Sequence, residues 1–170
     1  MPPVLPDNSR LTPRAEPLAA GEQAPEFTLL DSERQPVSLS QLLERARVVV
    51  LSFFPFAFTS VCGKEMTDFT RSRERFAERG AAVVGVSCDS FAALKAWKER
   101  DGIAIPLLSD WRRQVCRAYG LWWSELETAG RGTVVVGPGR KVLWASAREP
   151  SCALDVEEAL AALDAATERR

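Results

Sequence analysis

The run Val48-Val49-Val50-Leu51-Ser52-Phe53-Phe54, followed by a proline-led loop and an amphipathic stretch from Cys62 to Arg79, constrains this chain more than any other feature. A run so rich in β-branched and aromatic residues reads as a strand buried inside a sheet. The stretch after it repeats Met66, Phe69, Phe76 and Ala77 at helical spacing and closes at Gly80. A strand passed through a short loop into a helix puts Cys62 at the first helical turn. Backbone N–H groups there lack intrahelical partners and the helix dipole is positive at that end, so an anionic sulfur is favoured. Cys62 is therefore a candidate nucleophile. Thr59 is placed to turn its hydroxyl toward the sulfur, and Pro55 fixes φ in the loop and removes a competing N–H.

The rest of the chain is organised around that unit. Met1 to Gly21 is proline-rich with little periodicity, which predicts a flexible N-terminal arm over residues 1–20 and one domain over 21–170. Phe27–Leu30 and Pro36–Leu39 flank polar turn residues as in a hairpin, after which Ser40 is expected to cap a short helix through Arg45. Ala82–Cys88 reads as a second buried strand, and Ser90 caps a helix that Gly102 ends. Ile105–Leu108 leads to a helix from Trp111 to Tyr119. Thr133–Val136, the turn Gly137–Arg140 and Val142–Ala145 form an antiparallel hairpin before a helix from Asp155 to Ala166. A βαβ crossover, then a hairpin and a terminal helix, is the order of an α/β thioredoxin-like sandwich: a central mixed sheet flanked by helices, with an N-terminal hairpin. The cysteine loop then lies at the carboxyl end of a central strand, where open α/β sheets place their sites.

Composition narrows the chemistry. The chain has no histidine, which removes Ser-His-Asp and Cys-His catalysis and leaves activation of a thiol to a cation, a hydroxyl or a backbone dipole. A net charge of -1 with interspersed signs gives neither a nucleic-acid groove nor a polybasic membrane patch, so small soluble partners are expected. No apolar run approaches bilayer-spanning length and the start lacks the apolar core of a signal peptide, which predicts a cytoplasmic protein. In that compartment Cys62, Cys88, Cys116 and Cys152 are read as buried, reactive or transiently paired thiols.

Pro55-x-x-x-Thr59-x-x-Cys62 between a strand and a helix resembles the active-site motif of peroxiredoxins. Phe53 to Thr59, Pro106-Leu107-Leu108-Ser109-Asp110 and Ala118-Tyr119-Gly120 are similar to the alkyl hydroperoxide reductase E branch, and the resemblance runs from Gly21 to the C-terminus. It implies a thiol-dependent peroxidase that reduces hydrogen peroxide and organic hydroperoxides through a sulfenic acid at Cys62, with no cofactor or metal. Cleaving a peroxide O–O bond needs a soft nucleophile and fixed donors for the leaving oxygen. The resemblance assigns the donor role to Arg131 in Gly130-Arg131-Gly132-Thr133, beside Thr59 and the N–H groups of Val61 and Cys62. It makes Glu65 the carboxylate that holds a supporting arginine. Phe54 and Phe58, with Trp122 and Trp123, are expected to wall the substrate pocket.

The remaining cysteines decide the cycle. A sulfenic acid must meet a thiol before it is oxidised further. Cys88, at a buried strand end, and Cys116, within an amphipathic helix, read as core residues. Cys152, in the loop Arg148-Glu149-Pro150-Ser151-Cys152, is the candidate resolving residue, because atypical two-cysteine peroxiredoxins resolve from a similar loop. An external thiol is the alternative. Thioredoxin, a glutaredoxin-like protein or a small thiol all fit as reductant, and a homodimer is expected. Two other readings stay open. A thiol-disulfide oxidoreductase fits the same fold, although Thr59 and Glu65 stand where Cys-x-x-Cys would need cysteines. A non-enzymatic peroxide sensor would use Cys62 oxidation as its signal.

Overall fold

The computed structural model describes residues 4–168. At its centre the run identified above forms β3 (Val48–Phe53), buried at every position. It pairs in parallel with β4 (Ala81–Ser87), which pairs in parallel with β5 (Leu107–Ser109). On its other side β8 (Arg131–Val136) and β9 (Val142–Arg148) follow antiparallel. The hairpin β1 (Thr28–Asp31) and β2 (Pro36–Ser38) joins through an antiparallel β1–β5 pairing, completing a seven-stranded mixed sheet of order β2-β1-β5-β4-β3-β8-β9. A separate pair, β6 (Trp122–Trp123) and β7 (Thr128–Ala129), leads into β8.

The alternation of side chains along β3 builds a two-layered core. Val49, Leu51 and Phe53 pack on one face with Tyr119, Val115 of α4 (Gln114–Ala118) and Leu39 of α1 (Leu39–Arg45). Val48, Val50 and Phe54 pack on the other, under α2 (Ser60–Glu78), α3 (Phe91–Asp101) and α5 (Val156–Glu168) through Met66, Trp97 and Leu160. Helices on both faces of a mixed sheet make the thioredoxin-like sandwich. Ser90 caps α3 by accepting the Ala93 N–H, and Gly102 closes it in the left-handed region, as expected from sequence. No helix among the described residues is long and apolar enough to cross a membrane.

Several local expectations are corrected. The cap of α1 is Ser38 rather than Ser40: Ser38 and Gln41 form a reciprocal capping box, while the Ser40 hydroxyl donates to Glu26. The helix expected over Trp111–Tyr119 shrinks to α4 because Arg113 adopts φ 61 and breaks its first turn. The expected loose arm is laid against the domain over residues 7–20; residues 1–3 lie outside the described residues. Asn8 exchanges two hydrogen bonds with the Thr28 backbone, Leu18 is buried, and the Leu18 N–H donates to the Tyr119 carbonyl.

Gly120 makes that docking possible. It sits at φ +69, and a methyl group on it would run into the Glu16 carbonyl and the Pro17 backbone. Gly120→Ala is expected to lower stability by about 1–3 kcal/mol and to lift the arm. A melting curve and faster tryptic cleavage after Arg10 and Arg14 check this, and unchanged cleavage would show that the arm does not depend on Gly120.

Candidate active site

The loop leaving β3 is held by its backbone. The Pro55 carbonyl accepts the Thr128 hydroxyl at 2.9 Å. The Ala57 N–H donates to Asp89 Oδ2 at 2.9 Å, an oxygen that also takes the Ser87 hydroxyl at 2.7 Å. Phe58 follows at φ 64, strained for an aromatic residue. Its ring lies 4.8 Å from the Arg100 guanidinium and 6.2 Å from the Trp97 ring, contacts that help hold the strained turn. Thr59 is the N-cap of α2, which puts Cys62 in the first turn. The Thr59 hydroxyl donates to the Phe56 carbonyl at 2.8 Å and makes no cap bond, so it turns into its own loop and not toward the sulfur as expected.

Cys62 is 1 % exposed and meets the guanidinium of Arg131, whose Nη2 donates to Sγ at 3.1 Å. The other arms of the same fork are fixed: Nη1 donates to Glu65 Oε1, and Nε donates to the Pro150 carbonyl at 2.9 Å. Glu65 lies one helical turn after Cys62, so α2 carries both toward β8. Its second oxygen accepts the Leu154 N–H at 2.7 Å and Arg148 Nη2 at 3.2 Å. Arg148 also donates to the Thr133 hydroxyl at 3.0 Å. Burial lowers the Arg148 pKa from its ordinary value, opposed chiefly by the Glu65 charge, and a guanidinium stays protonated throughout. Two guanidinium groups thus share one carboxylate, leaving a surplus positive charge beside the sulfur. Such a centre suits an anionic sulfur and the negative charge that grows on a departing oxygen.

Arg148 was missed because the strand was expected to end at Ala145. β9 continues to Arg148, and the register then sets Arg148 directly beside Arg131. Asp89 and Thr128 were also missed. Neither carries a motif, and each acts through backbone groups of a segment distant in sequence.

The structure brings Pro55, Thr59, Cys62, Glu65 and Arg131 to one end of the sheet. Cys152 is exposed in the loop between β9 and α5, a loop pinned to the site through the Pro150 carbonyl and the Leu154 N–H. Two pocket expectations are corrected. Phe54 is fully buried, 5.4 Å from the Trp97 ring, and belongs to the core beneath the loop. Trp122 packs on the opposite core layer under the Arg117 guanidinium. Phe58 is 44 % exposed. Cys88 and Cys116 are buried, with sulfurs 3.7 Å apart. With Asp110 they are the one group among the described residues whose side chains converge as a metal site would.

Residues 20–145 match the AhpC/TSA family. The chain is 34% identical over 153 residues to alkyl hydroperoxide reductase E of Mycobacterium tuberculosis, covering 87% of this chain and 99% of the relative. It is 33% identical over 154 residues to peroxiredoxin TSA1 of Saccharomyces cerevisiae, covering 85% and 78%. Among solved structures, peroxidoxin BcpB from Mycobacterium tuberculosis superposes with a TM-score of 0.79 at 32% identity, covering 87% of this chain and 97% of that one. Mycobacterium tuberculosis AhpC does so with 0.81 at 26%, covering 91% and 96%.

Proposed function

The chain belongs to the AhpC/TSA family of peroxiredoxins and is a thiol-dependent peroxidase, and we propose that Cys62 is its peroxidatic nucleophile with Arg131 as the principal donor to the reacting oxygens. The observation that carries this reading is the Arg131 Nη2 hydrogen bond to Cys62 Sγ. The sulfur attacks the distal oxygen of a hydroperoxide, the O–O bond breaks, and alcohol or water leaves as Cys62 becomes a sulfenic acid. Glu65 and the Pro150 carbonyl hold the guanidinium so that its third arm faces the sulfur. Pro55 and Thr59 shape the loop, and Phe58 borders the approach. The substrates are hydrogen peroxide and organic hydroperoxides.

Cys152 is proposed as the resolving thiol, condensing with the sulfenic acid to form a disulfide and water. A disulfide needs Cα atoms within about 7 Å, and Cys62 is buried while Cys152 is exposed, so the first turn of α2 has to unwind. The lack of a side-chain cap at Thr59 favours that opening. Thioredoxin, a glutaredoxin-like protein or a small thiol would then reduce the disulfide, in a compartment such as the cytoplasm. A homodimer belongs to the same proposal, supported by exposed Phe56, Trp111 and Leu126 on segments tied together through Thr128 and Arg113.

Mass spectrometry after one equivalent of peroxide tests the assignment. Wild-type protein is expected to give a Cys62–Cys152 disulfide. Cys152→Ser should instead hold Cys62 as a sulfenic acid that excess peroxide drives readily to sulfinic acid. Wild-type protein with Cys62 oxidised and Cys152 reduced would establish a one-cysteine cycle. Modification away from Cys62 would overturn the nucleophile assignment itself.

A further inference from the structure

Cys88 and Cys116 take no part in the chemistry above, yet their sulfurs lie in contact at 3.7 Å inside the core. Cys88 follows the last residue of β4, and Cys116 lies in α4. The Asp110 carboxylate and both sulfurs lie within 4.8 Å of one another. We propose that Cys88 and Cys116 form a second redox couple, which hydroperoxide oxidises to a disulfide with Asp110 as the proton acceptor.

The geometry favours bonding between these two sulfurs. A disulfide has an S–S length of about 2.05 Å, against the present sulfur separation of 3.7 Å. Cys88 is 4 % exposed and Cys116 fully buried, so Cys88 meets the oxidant first. The Cys88 sulfur takes the distal oxygen of the hydroperoxide, the O–O bond breaks and alcohol leaves. Cys116 then attacks the Cys88 sulfenic acid. The Cys116 proton passes to Asp110 and on to the departing hydroxide, which leaves as water. Two thiols and one hydroperoxide become a disulfide, an alcohol and water.

Asp110 suits the transfer. Burial raises its pKa from the ordinary carboxylate value, which makes it a stronger base, although the Val115 and Cys116 N–H groups oppose the shift. The Cys116 thiol is held protonated by its hydrogen bond with Cys88, by burial and by the Asp110 charge. Burial of both sulfurs limits access of the oxidant, so the couple answers sustained peroxide. Both cysteines belong to the core layer that holds Val49 and Leu51, whereas Cys62 belongs to the opposite layer. The sheet therefore lies between the two chemistries, and this inference does not depend on Cys62 being the peroxidatic residue. The new bond would staple the end of β4 to α4, next to Asp89, whose carboxylate holds the Ala57 N–H of the Cys62 loop.

The test uses the reduced full chain carrying Cys62→Ser and Cys152→Ser, exposed to excess hydrogen peroxide, denatured in alkylating reagent and mapped without reduction. The expected result is joint loss of both alkylatable thiols, a linked Cys88–Cys116 peptide lighter by two hydrogen atoms, and recovery with dithiothreitol. Adding Cys116→Ser should leave a Cys88 sulfenic acid that dimedone traps. Two thiols that stay alkylatable, or Cys88 oxidised to sulfinic acid with Cys116 untouched, would overturn the proposal. Stoichiometric zinc with both thiols masked would overturn it too, by making the cluster a metal site. If the double variant does not fold, the same map on wild-type protein reads the linked peptide beside the Cys62 products.

Discussion

Cys62→Ser is expected to lower hydroperoxide consumption on the order of 10³-fold or more, measured as peroxide loss with reductant in excess. Serine is nearly isosteric, and its hydroxyl keeps an acceptor for Arg131 Nη2, so the buried site stays intact. What disappears is the soft nucleophile, since a hydroxyl does not ionise at neutral pH and attacks a peroxide oxygen poorly. Cys88→Ser and Cys116→Ser are expected to retain most of the turnover, because both lie across the sheet from Cys62. Fast turnover in folded Cys62→Ser would refute the assignment.

Arg131→Met should slow peroxide attack by about 10²–10³-fold. The guanidinium is the group placed to follow negative charge from the sulfur onto the leaving oxygen, and methionine fills similar volume with no donor. The same change removes a partner of buried Glu65, which keeps Arg148 and the Leu154 N–H. Glu65 keeps a counter-ion in Arg148, so the stability loss should stay below the roughly 3–5 kcal/mol of a fully broken buried pair, and rates have to be compared well below the melting transition. Adding Glu65→Gln takes away the one carboxylate that Arg148 pairs with, so Arg131→Met/Glu65→Gln should be less stable than Arg131→Met and no faster. Arg131→Lys, which keeps the charge but not the three-armed fork, should fall between. If folded Arg131→Met attacks peroxide at the wild-type rate, another group stabilises the oxygen.

The sheet was legible because burial on both faces gives β3 and β4 largely apolar runs, and because Ser90 and Gly102 mark the start and the end of α3. The neighbourhood of Cys62 was legible through local spacing, and the reach of Arg131 through the resemblance. What escaped depends on register and backbone acceptors. Arg148 joins the site only because β9 runs beyond Ala145 and pairs Arg148 with Arg131. The Thr59 hydroxyl was misplaced because spacing fixes its distance along the chain and not its rotamer, and the Phe56 carbonyl lies closer to hand. Proline content suggested a free arm, but prolines leave Asn8 and Leu18 able to dock, and Gly120 opens the place for the chain to lie.

The Pro150 carbonyl and the Leu154 N–H are bound by the very groups that hold the sulfur, Arg131 and Glu65. This makes the Cys152 loop and the first turn of α2 one cooperative opening unit. Unwinding the first turn of α2 carries Glu65 away from both Arg131 and the Leu154 N–H, which loosens the guanidinium that grips the Pro150 carbonyl. Exposure of the nucleophile and release of its proposed partner therefore share a single equilibrium. While that equilibrium lies toward the closed form, Cys62 is shielded from bulky reagents; once it opens, both thiols gain freedom in the same event.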